Sequence, residues 1–270
     1  MKEYYEGKVA TVTGGASGIG LAMCEEMLAM DAKAVVLADV NEENLEREVA
    51  RLKGLYPRKV FSVKTDVTKE KSVQAMVARA AEIGGGRLDL LFNNAGAGLA
   101  KWFGETTNED WKFAFDVNFY GALYGVRAAL PIMIAQGGGH IANTASGIAF
   151  TPFPVQSMYA ATKSALVSFT LSLRAEYWQD NVRFSVVIPG TVATPIWQGH
   201  APATAITPKV SAERILAGIA ENQRLVITTD EDRSGLESMG AQAKNPEYMK
   251  GLDDYLLNVA EKRRKGTMEY

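Results

Sequence analysis

Two residues that could form a proton-transfer pair, Tyr159 and Lys163, stand four positions apart. On a helix this spacing places both side chains on one face. A free phenol has a pKa of about 10 and is a poor base at neutral pH, but a nearby ammonium stabilises the phenolate. Such a pair can remove a hydroxyl proton while a hydride leaves the adjacent carbon. The same spacing is also typical of an ordinary packed helix face, so its meaning depends on its surroundings.

A glycine-rich turn near the start of the chain has the pattern of a phosphate-binding site. The run Thr13–Gly20 follows a short apolar segment and leads into a helical pattern. Its glycines allow a tight turn and a close backbone approach to a pyrophosphate, and the helix that begins there offers unpaired N–H groups. The turn therefore predicts dinucleotide contacts at Gly14, Ser17, Gly18, Ile19 and Gly20.

A carboxylate follows this turn at the distance expected for recognition of a ribose. Asp39 ends the second apolar run, 19 residues after Gly20. It could accept hydrogen bonds from both hydroxyls of an adenosine ribose and would repel a 2′-phosphate. An ordinary helix N-cap is the alternative interpretation. Because positions 15–17 and 40–41 contain no Arg or Lys, the sequence favours NAD over NADP.

The elements that carry these residues alternate between short apolar strands and amphipathic helices, which predicts βαβ units and a parallel sheet. Uniformly apolar strands of this kind are expected to be buried on both faces. The predicted strands are Lys8–Thr13, Ala34–Ala38, Val60–Lys64, Leu88–Phe92, His140–Thr144, Arg183–Ile188 and Leu225–Thr228. The predicted helices are Ile19–Met30, Glu42–Leu52, Lys69–Ile83, Asn108–Ala135, Ser157–Trp178 and Ser211–Glu221.

This pattern predicts an α/β fold: a Rossmann-type doubly wound sheet of about seven parallel strands, with helices on both faces. No composition break or internal repeat divides the chain, so residues 1–270 are interpreted as a single domain. Two regions depart from the alternation. A lid segment covers about residues 190–210, and a C-terminal tail of about residues 230–270 is expected to form two further helices.

Taken together, the motifs resemble those of the short-chain dehydrogenase/reductase family. They are the turn Thr13–Gly20, the run Asn93–Gly96, Asn118, Ser146, the Tyr159/Lys163 pair and Pro189-Gly190, in the family's order. The resemblance covers roughly residues 5–228. One such motif could arise by accident, whereas all six at these spacings are highly specific.

The resemblance implies a role for each residue of a catalytic set. Tyr159 would be the acid/base, and Lys163 would lower its pKa and hold the nicotinamide ribose. Ser146 would hydrogen-bond the substrate oxygen, although a turn serine that caps its loop is the alternative. Asn118 would hold a water that links Lys163 to solvent, and a polar residue at a helix kink is a compatible interpretation.

The resemblance also implies further contacts to the cofactor at the carboxyl ends of strands. Asp66 would accept a hydrogen bond from the adenine amine, and Val67 would line the same pocket. The Val192 backbone and the Thr194 hydroxyl would meet the nicotinamide carboxamide. The remaining implied contacts are Asn93, Ala95, Gly96, Pro189 and Gly190.

The segments expected to enclose a substrate are apolar and contain no obvious Arg that could bind a carboxylate. They are the loop Gly96–Trp102, the run Ser146–Val155 and the lid segment. Their large side chains are Leu99, Trp102, Phe103, Ile148, Phe150, Phe153, Ile196 and Trp197. The sequence therefore predicts a lipophilic secondary alcohol, steroid-like or prostaglandin-like, as the substrate. An NADP-preferring enzyme and a non-catalytic dinucleotide-binding module remain as alternatives.

Composition and charge argue against several other classes of protein. A net charge of −2 provides no basic surface for nucleic acid. The single cysteine, Cys24, is typical of a reducing compartment, and a cytoplasmic location is expected. The two histidines do not have metal-ligand spacing, so no metal is expected.

The longest apolar stretch, residues 113–135, is interrupted by Asp116, Asn118, Arg127 and Pro131, which favours a buried helix over a membrane span. The helices Asn108–Ala135 and Ser157–Trp178 carry more small and apolar residues than one core-facing stripe needs. They are expected to form a subunit interface, so a homodimer or homotetramer is predicted.

Overall fold

A computed structural model of the chain describes residues 1–197, 200–242 and 246–265. Seven parallel strands form one sheet in the order β3-β2-β1-β4-β5-β6-β7. The strands are β1 Val9–Thr13, β2 Ala34–Asp39, β3 Val60–Lys64, β4 Leu90–Asn93, β5 Gly139–Thr144, β6 Val182–Ile188 and β7 Leu225–Ile227. The chain winds outward from β1 to β3 and then returns to β4 beside β1. The strand order therefore reverses between β1 and β4, where doubly wound sheets bind their ligands.

Helices cover both faces of the sheet, which confirms the predicted fold class. They are α1 Lys2–Tyr5, α2 Gly18–Ala29, α3 Glu42–Leu55, α4 Glu70–Gly84, α5 Asn108–Phe115, α6 Gly121–Ala135, α7 Ser157–Glu176, α8 Pro208–Ala220, α9 Asp230–Gln242 and α10 Pro246–Arg264. The predicted boundaries shift by at most three residues, apart from the helix Asn108–Ala135. The two helices expected in the tail are α9 and α10.

Alternate residues of each central strand enter two separate apolar layers. In β1, Ala10 and Val12 pack with α2, α3 and α8, whereas Val9 packs with α4 and α6 on the opposite face. Such two-sided burial is the reason that these strands are apolar without alternation. It also fixes the carboxyl ends of β1, β4 and β5 at one edge of the sheet, where the candidate site residues are found.

The expectation of burial on both faces is wrong for β3. Val60 is buried, but Ser62 and Lys64 are exposed, and Phe61 and Val63 are only partly covered. The physical reason is that β3 is an edge strand, with a neighbour on one side only.

The predicted helix Asn108–Ala135 is three segments rather than one. A π-helical segment, Asp116–Tyr120, separates α5 from α6. The short helix α1 was not predicted; it anchors the N-terminal segment through Tyr5, whose hydroxyl donates to the Leu216 carbonyl at 2.7 Å. Three charged residues among the first six, Lys2, Glu3 and Glu6, obscured the buried tyrosine in the sequence pattern.

Among the described residues, Asn108–Ala135 is the one helical run long and apolar enough to cross a membrane. The core helix of a soluble protein passes the same test, so the run is weak evidence for a span. In this fold α6 packs against α4 and the sheet.

Candidate active site

The glycine turn between β1 and α2 has the backbone geometry of an anion cradle. Gly14 and Gly18 have positive φ angles of 66° and 53°, and a Cβ on Gly20 would overlap with the Gly14 carbonyl oxygen. Ser17 is the N-cap residue of α2, but its side chain makes no capping hydrogen bond. The first-turn N–H groups of α2 therefore have no capping side chain, and the turn fits the diphosphate of a dinucleotide.

Asp39 connects the end of β2 to the glycine turn. Its Oδ2 accepts a hydrogen bond from the Ala16 N–H at 3.1 Å, and its Oδ1 accepts from the Asn41 N–H at 3.0 Å. Asn41 caps α3 through Asn44, which rules out the alternative that Asp39 is the helix cap. Each carboxylate oxygen accepts one protein hydrogen bond and keeps capacity for another, which fits a ribose diol.

The junction of β1 and β4 depends on the side chains of Thr13 and Asn94, two motif residues for which the sequence predicted no individual role. The Thr13 hydroxyl oxygen accepts from the backbone N–H of Asn94 at 2.9 Å and of Ala95 at 3.0 Å. The Asn94 amide donates back to the Thr13 carbonyl at 3.1 Å. A hydroxyl residue at the end of an apolar strand was the only available signal for this contact.

The side chain of Asn93 points away from the strand-end crevice. It is buried and donates to Asn143 Oδ1 at 2.8 Å, and a Cβ on Gly125 of α6 would overlap with it. Because side chains alternate along a strand, Asn93 faces the helix layer. Only its backbone is available to a ligand.

Asp66 and Val67 follow β3 as expected. Asp66 Oδ1 accepts from the Thr68 N–H at 2.9 Å and from its hydroxyl at 2.7 Å. Among the described residues Oδ2 has no hydrogen bond, so it can accept one from an amine. Val67 packs closely against Gly121 at the start of α6.

Ser146, Tyr159 and Lys163 come together at the carboxyl edge of the sheet. Ser146 follows β5, caps the 3-10 turn Gly147–Ala149 and lies close enough to the Tyr159 phenol to affect its pKa. The Lys163 ammonium, only 3% exposed, lies 5.6 Å from the centre of the Tyr159 ring and donates to the Thr144 carbonyl at 2.8 Å. Ser146 therefore both caps its turn and contacts the phenol.

The electrostatics of this set differ from the expected lowering of the Tyr159 pKa. Burial raises the pKa of Tyr159, and its hydrogen bond with Ser146 opposes that effect. Burial also lowers the pKa of Lys163 to about 8. The Lys163 ammonium faces the Tyr159 ring and the Thr144 carbonyl. In the protein without cofactor it therefore does not cancel the rise in the Tyr159 pKa that burial causes.

Asn118 lies in the π-helical segment, as expected for a polar residue at a helix irregularity. Its Oδ1 accepts from the Ala97 N–H at 2.9 Å and its amide donates to the Ala97 carbonyl at 3.1 Å. A Cβ on Gly96 would lie 3.0 Å from Asn118 Oδ1 and 3.4 Å from Lys163 Nζ. Gly96 thus allows the amide and the ammonium to approach one another closely.

The lid segment crosses the glycine turn. Gly190 has a φ of 79°, and the Pro189 carbonyl accepts from the Ser211 hydroxyl at 3.0 Å. Val192 is buried and forms a bridge with Ile206 that ties the two ends of the segment together. A Cβ on Gly18 would lie 3.1 Å from Thr194 Cγ2, so Thr194 rests against the phosphate cradle.

The side chains of the predicted apolar lining have different surroundings. Ile148 is buried, and Ile196 Cγ1 would lie 3.2 Å from a Cβ on Gly98. Phe103 is 69% exposed and packs edge-on against Trp111. The 3-10 turn Phe103–Glu105 rotates it outward. The Trp197 side chain lies outside the described residues.

The C-terminal tail packs on the run Ser146–Val155, a location that the sequence left open. In α9, Asp232 lies beside Gly147. In α10, Arg263 donates to the Pro154 carbonyl at 2.7 Å and Tyr255 packs edge-on against Phe153. The helices are polar along most of their length, so their sequence carried no signal of this contact.

Among the described residues no three His, Cys, Asp or Glu side chains converge as metal ligands. His140 is instead a buried structural residue. Its Nδ1 lies 2.9 Å from the Tyr4 hydroxyl and its Nε2 lies 2.9 Å from the Ser185 hydroxyl. Burial lowers the pKa of His140 to about 3, with a smaller effect of nearby cations such as Arg174.

A doubly wound sheet with a Ser, Tyr and Lys set at its carboxyl edge is the architecture of an oxidoreductase. The family model for short chain dehydrogenase matches residues 8–204, and the chain belongs to that family. It is 40% identical over 195 residues to an uncharacterized oxidoreductase of Thermotoga maritima, which covers 72% of this chain and 74% of the relative.

Solved structures of the family share the whole architecture. A short chain dehydrogenase/reductase from Burkholderia phymatum in complex with NAD has a TM-score of 0.83 and 30% identity, and covers 89% of this chain and 95% of its own. The L-sorbose reductase from Gluconobacter frateurii, complexed with NADPH and L-sorbose, has a TM-score of 0.75 and 30% identity, with coverages of 83% and 96%.

Proposed function

We propose that the protein is an NAD-dependent oxidoreductase that interconverts a lipophilic secondary alcohol and its ketone. The observation that carries the proposal is the convergence of Ser146, Tyr159 and Lys163 beside the glycine turn. A protein that only binds a dinucleotide has no need of all three groups.

The chain's own residues would move the proton of this reaction. When bound, the nicotinamide cofactor supplies the hydride acceptor or donor. In oxidation, Tyr159 in its phenolate form takes the proton of the substrate hydroxyl, and Ser146 donates a hydrogen bond to the same oxygen. In reduction, the phenol returns the proton to the ketone oxygen. Lys163 supplies positive charge beside the phenol and Asn118 supports the path from it to solvent.

The preference for NAD rests on Asp39. Its carboxylate is held in place by Ala16 and Asn41, so a 2′-phosphate would meet a fixed negative charge. Val40, the next residue, is 62% exposed and offers no cation. The B. phymatum enzyme is complexed with NAD and the G. frateurii enzyme with NADPH, so the family resemblance alone does not choose a cofactor and the proposed preference rests on Asp39.

The proposal of a lipophilic substrate rests on the side chains around the catalytic set. Ile148 follows Ser146 closely, and Ile196 reaches across to Gly98 from the lid segment. An apolar wall of this kind favours an apolar alcohol. The G. frateurii enzyme, an L-sorbose reductase, represents the opposite outcome, a polar substrate.

A turnover panel tests the function. The protein would be mixed with NAD or NADP and 2-octanol, 1-phenylethanol, cyclohexanol, a 3-hydroxysteroid, a 15-hydroxyprostaglandin, lactate or sorbitol, and reduced nicotinamide followed by absorbance. We expect NAD-dependent turnover of the apolar alcohols. Faster rates with sorbitol or lactate would reject the substrate class, and no turnover with tight NADH binding would favour a non-catalytic binding module.

We also propose that the protein is a cytoplasmic homodimer or homotetramer. Three large apolar side chains along α5–α6, Phe113, Tyr120 and Ile134, are exposed. A second copy covering this surface would bury them. Light scattering at micromolar concentration is expected to show more than one subunit, and a monomer would contradict the proposal. Buried Cys24 as the single cysteine supports the location.

A further inference from the structure

The tail helix α9 makes a long-range contact with the catalytic region through one carboxylate. A Cβ on Gly147, the residue after Ser146, would overlap with Asp232 Oδ1. Thr229, whose hydroxyl donates to Asp232 Oδ2, packs against Gly190. Asp232 and its partner Thr229 thus contact both the turn that carries Ser146 and the turn at the root of the lid segment.

Two contacts hold this carboxylate. The Thr229 hydroxyl donates to Asp232 Oδ2 at 3.1 Å, and the Asp232 N–H donates back to the Thr229 oxygen at 3.3 Å. Thr229 also packs against Gly190, where a Cβ would overlap with its methyl group. The side chain of Asp232 therefore has a fixed position.

A second glycine shows that α9 lies unusually close to the same run of chain. A Cβ on Gly235, one turn beyond Asp232, would lie 2.9 Å from the Thr151 hydroxyl. Thr151 belongs to the Gly147 turn through the hydrogen bond from its N–H to the Gly147 carbonyl at 3.0 Å. The close approach is thus a property of two neighbouring turns of α9.

We propose that Asp232 is a positioning residue for the reaction, which holds the Ser146–Gly147 turn and the Gly190 turn at a fixed separation on either side of the site. The inference rests on the proposed function. Removing the carboxylate frees both turns, so Ser146 loses its register against Tyr159. Burial raises the pKa of Asp232, as expected for a carboxyl group enclosed between these turns.

The competing explanation is local. Asp232 stands three residues after Thr229, where a carboxylate often completes the cap of a helix N-terminus. A cap affects stability alone, whereas a positioning residue affects kcat and the binding of NADH.

The experiment compares Asp232→Ala with Asp230→Ala, a control that removes an exposed carboxylate from the same first turn. kcat is measured with the best alcohol of the panel, and Kd for NADH by fluorescence. We expect Asp232→Ala to lower kcat about 10- to 100-fold, since small misplacements of catalytic groups cost this much, and to weaken NADH binding. Asp232→Asn, which keeps the size of the side chain and one acceptor oxygen for the Thr229 hydroxyl, is expected to retain most of kcat.

Gly147→Ala provides a test in which neither Asp232 nor Thr229 is substituted. The new methyl group displaces the carboxylate, so kcat is expected to fall as in Asp232→Ala. The kcat of the double variant is expected to be no lower than that of Asp232→Ala, because both substitutions remove the same contact between Asp232 and Gly147. Three results would overturn the inference. They are full kcat in a folded Gly147→Ala protein, a loss of kcat in the double variant equal to the product of the two single losses, and equal kcat and NADH affinity in Asp232→Ala and Asp230→Ala. Absence of turnover in the unmodified protein would instead reject the proposed function.

Discussion

The Lys163 ammonium lies against the ring of Tyr159 and donates to the Thr144 carbonyl at 2.8 Å. This arrangement keeps a cation in a buried site, where desolvation lowers its pKa to about 8. The Lys163 ammonium therefore remains charged at neutral pH. Because it has lost its solvation, this charge makes the folded state less stable than it would be with the same lysine exposed to water.

Lys163→Met is expected to separate activity from stability. The variant loses the cation beside the phenol, so kcat falls about 100-fold. Its Tm at pH 7 is expected to equal or exceed that of the unmodified protein, because a buried charge is gone. The folded pKa of Lys163 is below its unfolded value of 10.5, so the unmodified protein gains stability relative to the variant between pH 8 and 10.5. A variant with markedly lower Tm at pH 7 would contradict this explanation.

Gly20→Ala is expected to disrupt the phosphate cradle. The added Cβ overlaps with the Gly14 carbonyl oxygen, so the turn must shift and NADH binding is lost. Gly54→Ala in α3 is the matched control, since a Cβ there meets nothing within 4 Å, and about 0.5–1 kcal/mol of stabilisation is expected from replacing a helical glycine. Fluorescence titration and thermal unfolding of both variants check this prediction; unchanged NADH affinity in Gly20→Ala would count against the cradle.

Asp39→Asn is expected to change the cofactor preference. The amide keeps an acceptor for the Ala16 N–H but loses the charge that binds a ribose diol and repels a 2′-phosphate. NADH binding weakens about 10- to 100-fold, the size expected for a charged hydrogen bond, and NADPH binding improves. Titration with each reduced cofactor measures both. An unmodified protein that binds NADPH more tightly would show that Asp39 does not discriminate.

His140 is expected to make the fold sensitive to acid. Its folded pKa is about 3 and its unfolded pKa is 6.5, so the unfolded chain binds more protons between these values. Stability contributed by the neutral ring is therefore present above pH 6.5 and is lost as pH falls, at about 1.4 kcal/mol per pH unit. Urea unfolding at pH 4.5 and 6.5 measures the free energy of unfolding. Between these pH values it is expected to fall more for the unmodified protein than for His140→Gln, and equal decreases would refute the role given to His140.

The parts of the site that the sequence predicted are those determined by neighbouring residues. The positive φ of Gly14 and Gly18, the carboxylate at the end of β2 and the Tyr159/Lys163 spacing are all properties of one turn or one helix. Strand and helix periods, which are equally local, predicted the alternation and therefore the doubly wound sheet.

Contacts between distant segments could not be predicted in this way. The side chain of Asn93 faces the helix layer because of strand register, and Phe103 faces solvent because of a 3-10 turn. Neither feature has a periodic signal. The approach of Asp232 to Gly147 depends on where a polar helix docks, which its own sequence does not encode.

Turnover by Tyr159→Phe is the most direct test of the account. The substitution removes one hydroxyl from a partly buried ring, and Tyr56→Phe, on a ring remote from the site, is its control. We predict that Tyr159→Phe keeps its circular dichroism spectrum and NADH affinity while kcat falls about 100-fold or more, the size expected when a general acid/base is removed. A Tyr159→Phe protein that oxidises the panel's best alcohol as fast as Tyr56→Phe would contradict the proposed mechanism.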